Sequence, residues 1–395
     1  MIATDSKRVL SIDVARGVTI AFMILVNDPG DWNHVYAQLD HSVWNGWTLT
    51  DLVFPNFLFL IGASIIFSLR SRIAKGESRS SLAGHIVRRA VILFALGLFI
   101  AAFPHFHLTE LRIYGVLPRI AHCYLCASLI CLATRKISHL ALITATLLIG
   151  YWMLMRFVPV PGFGVPTHDI PLLDQNGNLT AWIDRGFNHF TQRFLHTGRL
   201  YRGTNDPEGI LSTLPAIATT LIGSITGLIM SLPQYTPAKK RNLLALGAIL
   251  FLGAGELWNL TFPINKNLWT SSYVLYSASW SLLTLAFCYW FIDIRRFNET
   301  KAGKWLTFPW LVFGSNAIVA FCVSEFLVIN LIWIKLPFEL GPNGQPVTAW
   351  FWIYHHLFAF NGSTRNTSLA FAIAFVAVCF LPNWLLWRKK IFLKI

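Results

Sequence analysis

The sequence is poor in charged residues. Aspartate, glutamate, lysine and arginine make up only 13% of its 395 residues, whereas hydrophobic residues make up 55% and the mean hydropathy is +0.54. Soluble domains carry about 25% charged residues, so this composition excludes an ordinary soluble protein and predicts a polytopic membrane protein. Acidic residues are scarcer than basic ones, 18 against 32, which gives a net charge of +14. The basic residues lie in short clusters between apolar runs, so we assign them to membrane topology and not to nucleic-acid binding.

Cysteine is also scarce, and its placement argues against a disulfide framework. All six cysteines lie in apolar runs and none lies in the long polar loops. Cys123 and Cys126 form a C-x-x-C pair inside an apolar stretch, which favours small helix residues over a redox or metal pair. A cleavable signal is lacking too, because the apolar stretch 9–26 contains Asp13 and Arg16 and no small-residue cleavage site follows it. We interpret this stretch as the first membrane span.

Long apolar stretches dominate the rest of the chain. A helix needs about 20 apolar residues to cross a bilayer, and about ten stretches qualify, at roughly 9–28, 51–70, 86–104, 115–134, 138–158, 208–231, 242–260, 270–292, 308–332 and 368–387. We therefore predict an all-α bundle of about ten transmembrane helices that forms a single domain over residues 1–395. The segment 347–360 is too short to cross easily and is predicted to be interfacial or re-entrant. Gly223 and Gly227 indicate close helix packing.

Lysine and arginine are concentrated in alternate loops. The intervening loops contain few basic residues: 29–50 contains none, and Arg112 and Lys266 are isolated in two others. The positive-inside rule then predicts that both termini are cytoplasmic and that the loop with His41 faces outward. Two long loops, 159–207 and 333–367, are predicted to face outward as well, and their length suggests a functional role.

Charged side chains inside the spans are candidates for function because they are costly in a bilayer. Asp13 and Arg16 of the first span fall on one helical stripe with Asn27, which lies about 21 Å further along the axis than Asp13. The stripe either lines a path through the protein, or Asp13 and Arg16 form an ion pair that only orders one helix end. Arg119, near the outer end of the fourth span, either snorkels to the surface or points into a polar cavity.

His41 is the best candidate for chemistry, although a solvated loop histidine is the simpler interpretation of the pattern alone. Imidazole can move a proton near neutral pH and can also carry an acyl group. Asn27 could donate an amide hydrogen bond to a developing oxyanion. Asp51, at the start of the second span, suits either a helix cap or the orientation of a histidine.

Other histidine and tryptophan residues are less informative. The pairs His105/His107 and His355/His356 have no carboxylate or cysteine at a useful spacing, so no metal site is predicted. Four tryptophans suit the outer membrane interface and could equally stack on a sugar ring: Trp32, Trp44, Trp47 and Trp269.

A series of motifs follows in chain order. It comprises SIDVARG at 11–17, VN at 26–27, HSVWNGWTLTD at 41–51, LPRIA at 117–121, DPEG at 206–209 and FPINKNLWTS at 262–271. Together they resemble the catalytic transmembrane region of heparan-α-glucosaminide N-acetyltransferases and of their bacterial relatives. The resemblance covers nearly the whole chain, so it is far more specific than any one motif.

The resemblance implies N- or O-acetyl transfer from cytoplasmic acetyl-CoA to an amino sugar or related envelope glycan on the far side of the membrane. It implies that His41 is catalytic, with Asn27 as its associated asparagine, and Asp51 is added as the third candidate. No permanently bound cofactor is expected. Further residues become candidates for substrate binding: Asp13, Arg16, Trp44, Asn45, Arg119, Asp206, Glu208, Asn265, Lys266 and Trp269.

The same resemblance places the protein in a bacterial cytoplasmic (inner) membrane and makes a homodimer plausible. Two questions stay open at this point. His41 either removes the acceptor's proton or carries the acetyl group transiently. The alternative function is a transporter of a small solute or acylated sugar without acyl-transfer chemistry, which the charged stripe and the long outer loops also permit.

Overall fold

The structure is a computed structural model that describes residues 9–341 and 344–393. Within these ranges the chain forms thirteen α-helices: α1 Leu10–Asn27, α2 Val53–Ala74, α3 Arg79–Ala102, α4 Val116–Ala133, α5 Ile137–Phe157, α6 Leu179–Leu195, α7 Thr213–Ser231, α8 Pro237–Asn259, α9 Ser271–Cys288, α10 Lys301–Ser315, α11 Ala317–Trp333, α12 Ala349–Leu357 and α13 Arg365–Arg388. Two short antiparallel strands, β1 Lys335–Leu340 and β2 Pro346–Thr348, form a hairpin before α12.

Nine helical segments in the described ranges are long and apolar enough to cross a membrane, and they overlap nine of the ten predicted stretches. The second begins at Thr50, in a short 3₁₀ turn that leads into α2. The tenth predicted stretch, 308–332, is not one straight helix, because α10 and α11 meet there at an angle of 80°. The all-α polytopic membrane fold predicted from composition is confirmed.

The break between α10 and α11 is centred on Asn316, whose backbone lies outside the helical region at φ −133° and ψ 47°. Its amide side chain bonds to the segment that follows α13: Nδ2 donates to the Ile391 carbonyl at 3.0 Å, and Oδ1 accepts from the Leu393 amide at 2.9 Å. Residues 308–332 are strongly apolar on both sides of Gly314, Ser315 and Asn316, which explains why length and hydropathy alone predict a single span.

Glycines allow the central helices to touch backbone to backbone. A Cβ atom at Gly62 of α2 would overlap the carbonyl oxygen of Thr220 in α7, and one at Gly223 would overlap that of Phe59. Gly17 of α1 meets the Trp310 carbonyl of α10 in the same way. The close packing predicted around Gly223 is therefore present, and it fixes α2 against α7.

Hydrogen bonds gather the long connections at one end of the bundle, which we call the His41 end. Gly30 donates to the Ser368 carbonyl at 3.3 Å, and Gly46 donates to the Ile264 carbonyl at 2.8 Å. The connections predicted as long loops contain structure of their own, since α6 lies within 159–207 and the hairpin and α12 lie within 333–367. The opposite end, which we call the basic end, carries the short connections rich in lysine and arginine.

Candidate active site

Two loops that are far apart in sequence meet at the His41 end. Gly46, at φ +95°, donates to the Ile264 carbonyl, and its strand-like pairing with Asn265 joins the loop before α2 to the loop before α9. The Asn265 side chain donates to Asn45 Oδ1 at 3.1 Å and accepts from the Leu268 amide at 2.9 Å. Asn265 therefore positions the backbone of its own loop and holds the His41 loop against it.

His41 is hydrogen-bonded to a buried carboxylate. Its Nδ1 lies 2.9 Å from Asp51 Oδ1, and its side chain is 40% exposed while that of Asp51 is 0% exposed. The other carboxylate oxygen, Oδ2, accepts from the Ser42 amide at 3.0 Å and the Thr48 amide at 3.1 Å; the Thr48 hydroxyl lies 3.1 Å from Oδ2 and 2.6 Å from the Asp40 carbonyl. Tyr273 donates its hydroxyl to the Asp51 carbonyl. A carboxylate held in this way orients the imidazole and directs Nε2 toward solvent, as in a His–Asp dyad.

Lys266 lies directly beside this dyad. Its Nζ is 2.9 Å from His41 Nδ1, 3.4 Å from Nε2 and 3.4 Å from Asp51 Oδ1. A ring nitrogen carries either a proton or a lone pair, so Nδ1 either donates to Asp51 or accepts from Lys266. Burial lowers the pKa of Lys266, and the charges of Asp51 and Glu208 oppose that effect. Lysine and histidine, 225 positions apart, thus share one site.

Arg112 connects a second pair of carboxylates to the same end of the molecule. Its Nε and Nη2 donate to the two oxygens of Asp206 at 2.8 and 2.6 Å, and Nη2 also donates to Glu208 at 2.5 Å. Burial alone would raise the pKa of Glu208, but the positive charges of Arg112, Arg119 and Lys266 together outweigh it and the pKa is lowered. Asp206 and Glu208 were predicted for the site, whereas Arg112 was missed and counted only as a loop charge.

Arg119 and Trp269 lie beneath this surface. Arg119 is 1% exposed, donates to the Gly209 carbonyl at 3.0 Å and to the Ser212 hydroxyl, and has its guanidinium carbon 5.2 Å from the Trp269 ring centre. Trp269 is 1% exposed and donates its ring N–H to Thr219 at 3.1 Å. Arg119 therefore does not snorkel, and Trp269 is not at the interface, because the 260–270 loop folds it into the helix bundle.

Trp44 and Asn45 remain near the surface. Trp44 is half-buried and donates its ring N–H to the Leu173 carbonyl at 2.8 Å, while the Arg202 guanidinium lies 5.9 Å from its ring centre. Asn45 is exposed. Asn27 ends α1 and is partly buried, and no hydrogen bond joins it to His41 in the part of the chain that the structure describes.

Asp13 and Arg16 lie toward the other end of α1. Arg16 Nη2 donates to Asp13 Oδ1 at 2.7 Å, and Arg16 Nε donates to the Gly314 carbonyl at 2.8 Å, at the last turn of α10. The pair thus fixes α1 against the break between α10 and α11. Arg16 also lines the cavity described next, so this ion pair does not prevent it from facing that cavity.

A cavity of about 450 Å³ extends along α2 toward the basic end. It is lined on α2 from Phe57 to Arg72, a distance of about 22 Å at 1.5 Å per residue. Its walls combine apolar residues with serines and with four side chains that can carry positive charge: Arg16, Arg72, His85 and Arg89. Ser128 Oγ and Arg89 Nε are buried there without a hydrogen-bond partner in the described structure. A ligand with anionic or other acceptor oxygens would satisfy both atoms.

Three buried aromatic side chains lie on, or pack against, the stretch of chain that leads from Asp51 to this cavity, and we call them the aromatic layer: Phe54, Phe57 and Trp269. Phe57 lines the cavity and lies six residues, or about 9 Å, along α2 from Asp51. Phe54 packs edge to face on Trp269 with ring centres 5.3 Å apart. Neither His41 nor Asp51 belongs to the cavity lining.

Within residues 9–341 and 344–393, no three His, Cys, Asp or Glu side chains are grouped to hold a metal ion.

Comparison with known proteins identifies the family. Residues 8–258 match the family model described as heparan-alpha-glucosaminide N-acetyltransferase, catalytic. The chain is 29% identical to heparan-alpha-glucosaminide N-acetyltransferase from Homo sapiens, over 98% of this chain and 60% of that protein. It is 30% identical to the protein of the same name from Mus musculus, over 82% of this chain and 54% of that protein. The chain thus spans little more than half the length of these relatives. Because the family match covers more than half of its residues, the protein belongs to the heparan-α-glucosaminide N-acetyltransferase family.

Proposed function

We propose that this protein is a transmembrane acetyltransferase that moves an acetyl group from acetyl-CoA at the basic end to an amino sugar or related envelope glycan at the His41 end. The observation that carries this proposal is one helix, α2, with the His41–Asp51 dyad at its start and the basic cavity along the rest of its length. Family membership supports acyl transfer over transport.

The cavity suits acetyl-CoA as donor. The phosphates of the nucleotide would pair with the positive side chains near the basic end, such as Arg72 and Arg89. The pantetheine arm would extend along α2 past Arg16 and bring the thioester to Phe57. The remaining 9 Å or so to Asp51 is the aromatic layer, which would have to open for transfer. No other cofactor is required by this scheme.

The chemistry follows from the dyad. His41 Nε2 removes a proton from the acceptor amine or hydroxyl, whose nitrogen or oxygen attacks the thioester carbonyl. The carbon–sulfur bond then breaks, and the CoA thiolate takes the proton from His41. Asp51 orients the imidazole, and Asn27 supplies an amide donor to the oxyanion from the end of α1. A route through acetyl-His41 uses the same groups, with Nε2 itself attacking the thioester first.

The acceptor would lie over the surface between the two joined loops. Trp44 offers a partly exposed ring for a sugar face, and Asn45 offers an amide for hydroxyl groups. The excess of lysine and arginine at the basic end supports a cytoplasmic location for that end and for both termini. Together with the resemblance to bacterial relatives, this supports our proposal that the protein lies in a bacterial cytoplasmic membrane with His41 outside.

The decisive experiment measures release of CoA thiol by purified protein in detergent, with acetyl-CoA and glucosamine as substrates. His41→Ala is expected to abolish acceptor-dependent release. The matched control is His168→Ala, since His168 also pairs with an aspartate, Asp169 at 2.6 Å, but is 83% exposed in a loop at the same end. Equal release by wild type and His41→Ala would refute the mechanism. Uptake of amino sugar into proteoliposomes without acetylation would favour a transporter.

A further inference from the structure

Lys266 is held in place by an ordered loop. The Ile264 amide donates to Asn259 Oδ1 at 2.8 Å, the Asn265 amide donates to Thr270 Oγ1 at 3.0 Å, and the Trp269 amide donates to the Lys266 carbonyl at 3.0 Å. The side chain is only 15% exposed. This loop is also joined to the His41 loop through Gly46 and Asn265, so the ammonium is fixed relative to the imidazole.

Pairing with Asp51 does not by itself explain this lysine. The Asp51 carboxylate already accepts from His41 and from the backbone amides of Ser42 and Thr48. A buried cation costs desolvation energy, which an ion pair with an already bonded carboxylate recovers poorly. Lys266 Nζ is moreover 2.9 Å from Nδ1 of the imidazole and 3.4 Å from both Nε2 and the carboxylate. The ammonium therefore lies beside the reacting imidazole as well as beside Asp51.

We propose that Lys266 stabilises the oxyanion that forms on the acetyl carbonyl when the acceptor attacks beside His41. The proposal rests on the acetyltransferase function. An acceptor that gives its proton to Nε2 lies about 3 Å from that atom, and the carbonyl carbon it attacks lies about 3–3.5 Å further on. Lys266 Nζ is 3.4 Å from Nε2, so its N–H groups can reach an oxygen on that carbon.

The electron balance is that of an ordinary acyl transfer. As the nitrogen–carbon bond forms, the carbonyl π pair moves to oxygen, and Lys266 donates to that oxygen without giving up its proton. When the pair returns, the carbon–sulfur bond breaks and the thiolate receives the proton held by His41. In the route through acetyl-His41 the oxyanion forms twice at the same place, and Lys266 serves both steps.

Two neighbouring carboxylates favour the cationic form of Lys266 that this role needs. Asp51 and Glu208 favour the charge, while burial and Arg202 oppose it, and His41 is the remaining titratable contact. Glu208 is in turn bound by Arg112. Signs therefore alternate from Arg112 through Glu208 to Lys266 and Asp51, so each charge is stabilised by the next.

The test compares Lys266→Met, which removes the charge, with Lys266→Arg, which keeps it. For Lys266→Met we expect kcat to fall about 100- to 1,000-fold with little change in KM for acetyl-CoA, as for loss of one oxyanion donor. Lys266→Arg should recover at least about tenfold of that loss, although arginine has a different shape. Lys335→Met, at an exposed lysine of β1, is the matched control and should match wild type. Unfolding temperatures confirm that the variants are folded.

The pH dependence separates charge from structure. The ratio of Lys266→Arg to wild-type kcat cancels titration of the acceptor amine. This ratio should rise with pH as Lys266 loses its proton. In a Glu208→Gln variant that keeps Lys266, one stabilising negative charge is gone, so kcat should begin to fall at a lower pH than in wild type.

A Lys266→Met variant that keeps more than a third of wild-type kcat would overturn the inference. So would equal losses in Lys266→Met and Lys266→Arg with a flat ratio across pH. Acetyl-CoA turnover by wild type that disappears in His41→Ala but survives in Lys266→Met would reject only the role of Lys266. Absence of turnover in wild type would reject the proposed function and this inference with it.

Discussion

Replacing Asp51 with asparagine tests the dyad most sharply, because the structure dictates how the amide must sit. Oδ2 of Asp51 accepts from two backbone amides, those of Ser42 and Thr48, which can only donate. Only the oxygen of an asparagine can occupy that position. The NH₂ group must then take the place of Oδ1, where it faces His41 Nδ1 at about 2.9 Å and the Lys266 ammonium at about 3.4 Å.

This arrangement forces the wrong tautomer of histidine. The NH₂ group donates, so Nδ1 must accept and the ring proton moves to Nε2, which can no longer act as a base. Loss of the correct tautomer costs about 10⁴-fold in kcat in a serine-protease triad. We expect Asp51→Asn to lower kcat by about 10³–10⁴, or about 4–5.5 kcal/mol in the barrier. The KM for acetyl-CoA should change little, because Asp51 does not line the cavity.

The assay is initial-rate thiol release over a range of acetyl-CoA concentrations, with unfolding temperature measured on the same preparation. Asp51→Ala is the comparison, since it leaves the Ser42 and Thr48 donors unsatisfied and should lower stability as well as activity. An Asp51→Asn enzyme with more than a tenth of wild-type kcat would show that Asp51 does not set the tautomer of His41.

Three further predictions concern the cavity, the helix packing and the pH dependence of stability. Arg72→Gln should raise the KM for acetyl-CoA about tenfold with kcat unchanged, whereas Arg79→Gln, outside the cavity lining, should not; equal KM values in the two would remove Arg72 from the donor site. Gly62→Ala should lower the unfolding temperature by several degrees because its Cβ overlaps a carbonyl of α7, whereas Gly84→Ala, which meets open space, should not, and similar temperatures would contradict the close packing. Burial raises the pKa of Asp184 to about 7, so the folded state binds a proton that the unfolded state releases near pH 4, and stability should fall between about pH 4 and 7. Asp184→Asn should flatten that fall in unfolding temperature, and an unchanged slope would show that Asp184 does not cause it.

Much of the fold could be predicted from the sequence because membrane spans are set by length and hydropathy. The exception is instructive: Asn316 interrupts 308–332 through hydrogen bonds to Ile391 and Leu393, and no local pattern reveals a partner that distant. Gly314 and Ser315, directly before Asn316, are a local signal of a helix break, but a prediction from length and hydropathy alone passes over it.

The site was predictable only in part, for a similar reason. Asp51 could be proposed as a partner of His41 because ten residues and one helix start separate them. Lys266 was a secondary candidate, because its contact with His41 depends on the pairing of Gly46 with Asn265 across the sequence. Arg112 carried no signal beyond being the one lysine or arginine in the loop 103–115, since its carboxylate partners lie more than 90 positions away.

The aromatic layer between the cavity and His41 has a consequence for the membrane as an insulator. In the proposed reaction CoA keeps its phosphate charges on one side, and the acetyl group that passes Phe54 and Phe57 is exchanged for one acceptor proton, so that no net charge crosses. Moving one elementary charge across a membrane potential involves about 2.3 kcal/mol per 100 mV, whereas a neutral exchange neither works against that potential nor dissipates it. A thin apolar partition would thus let acetyl groups leave the cell without any net movement of charge across the membrane.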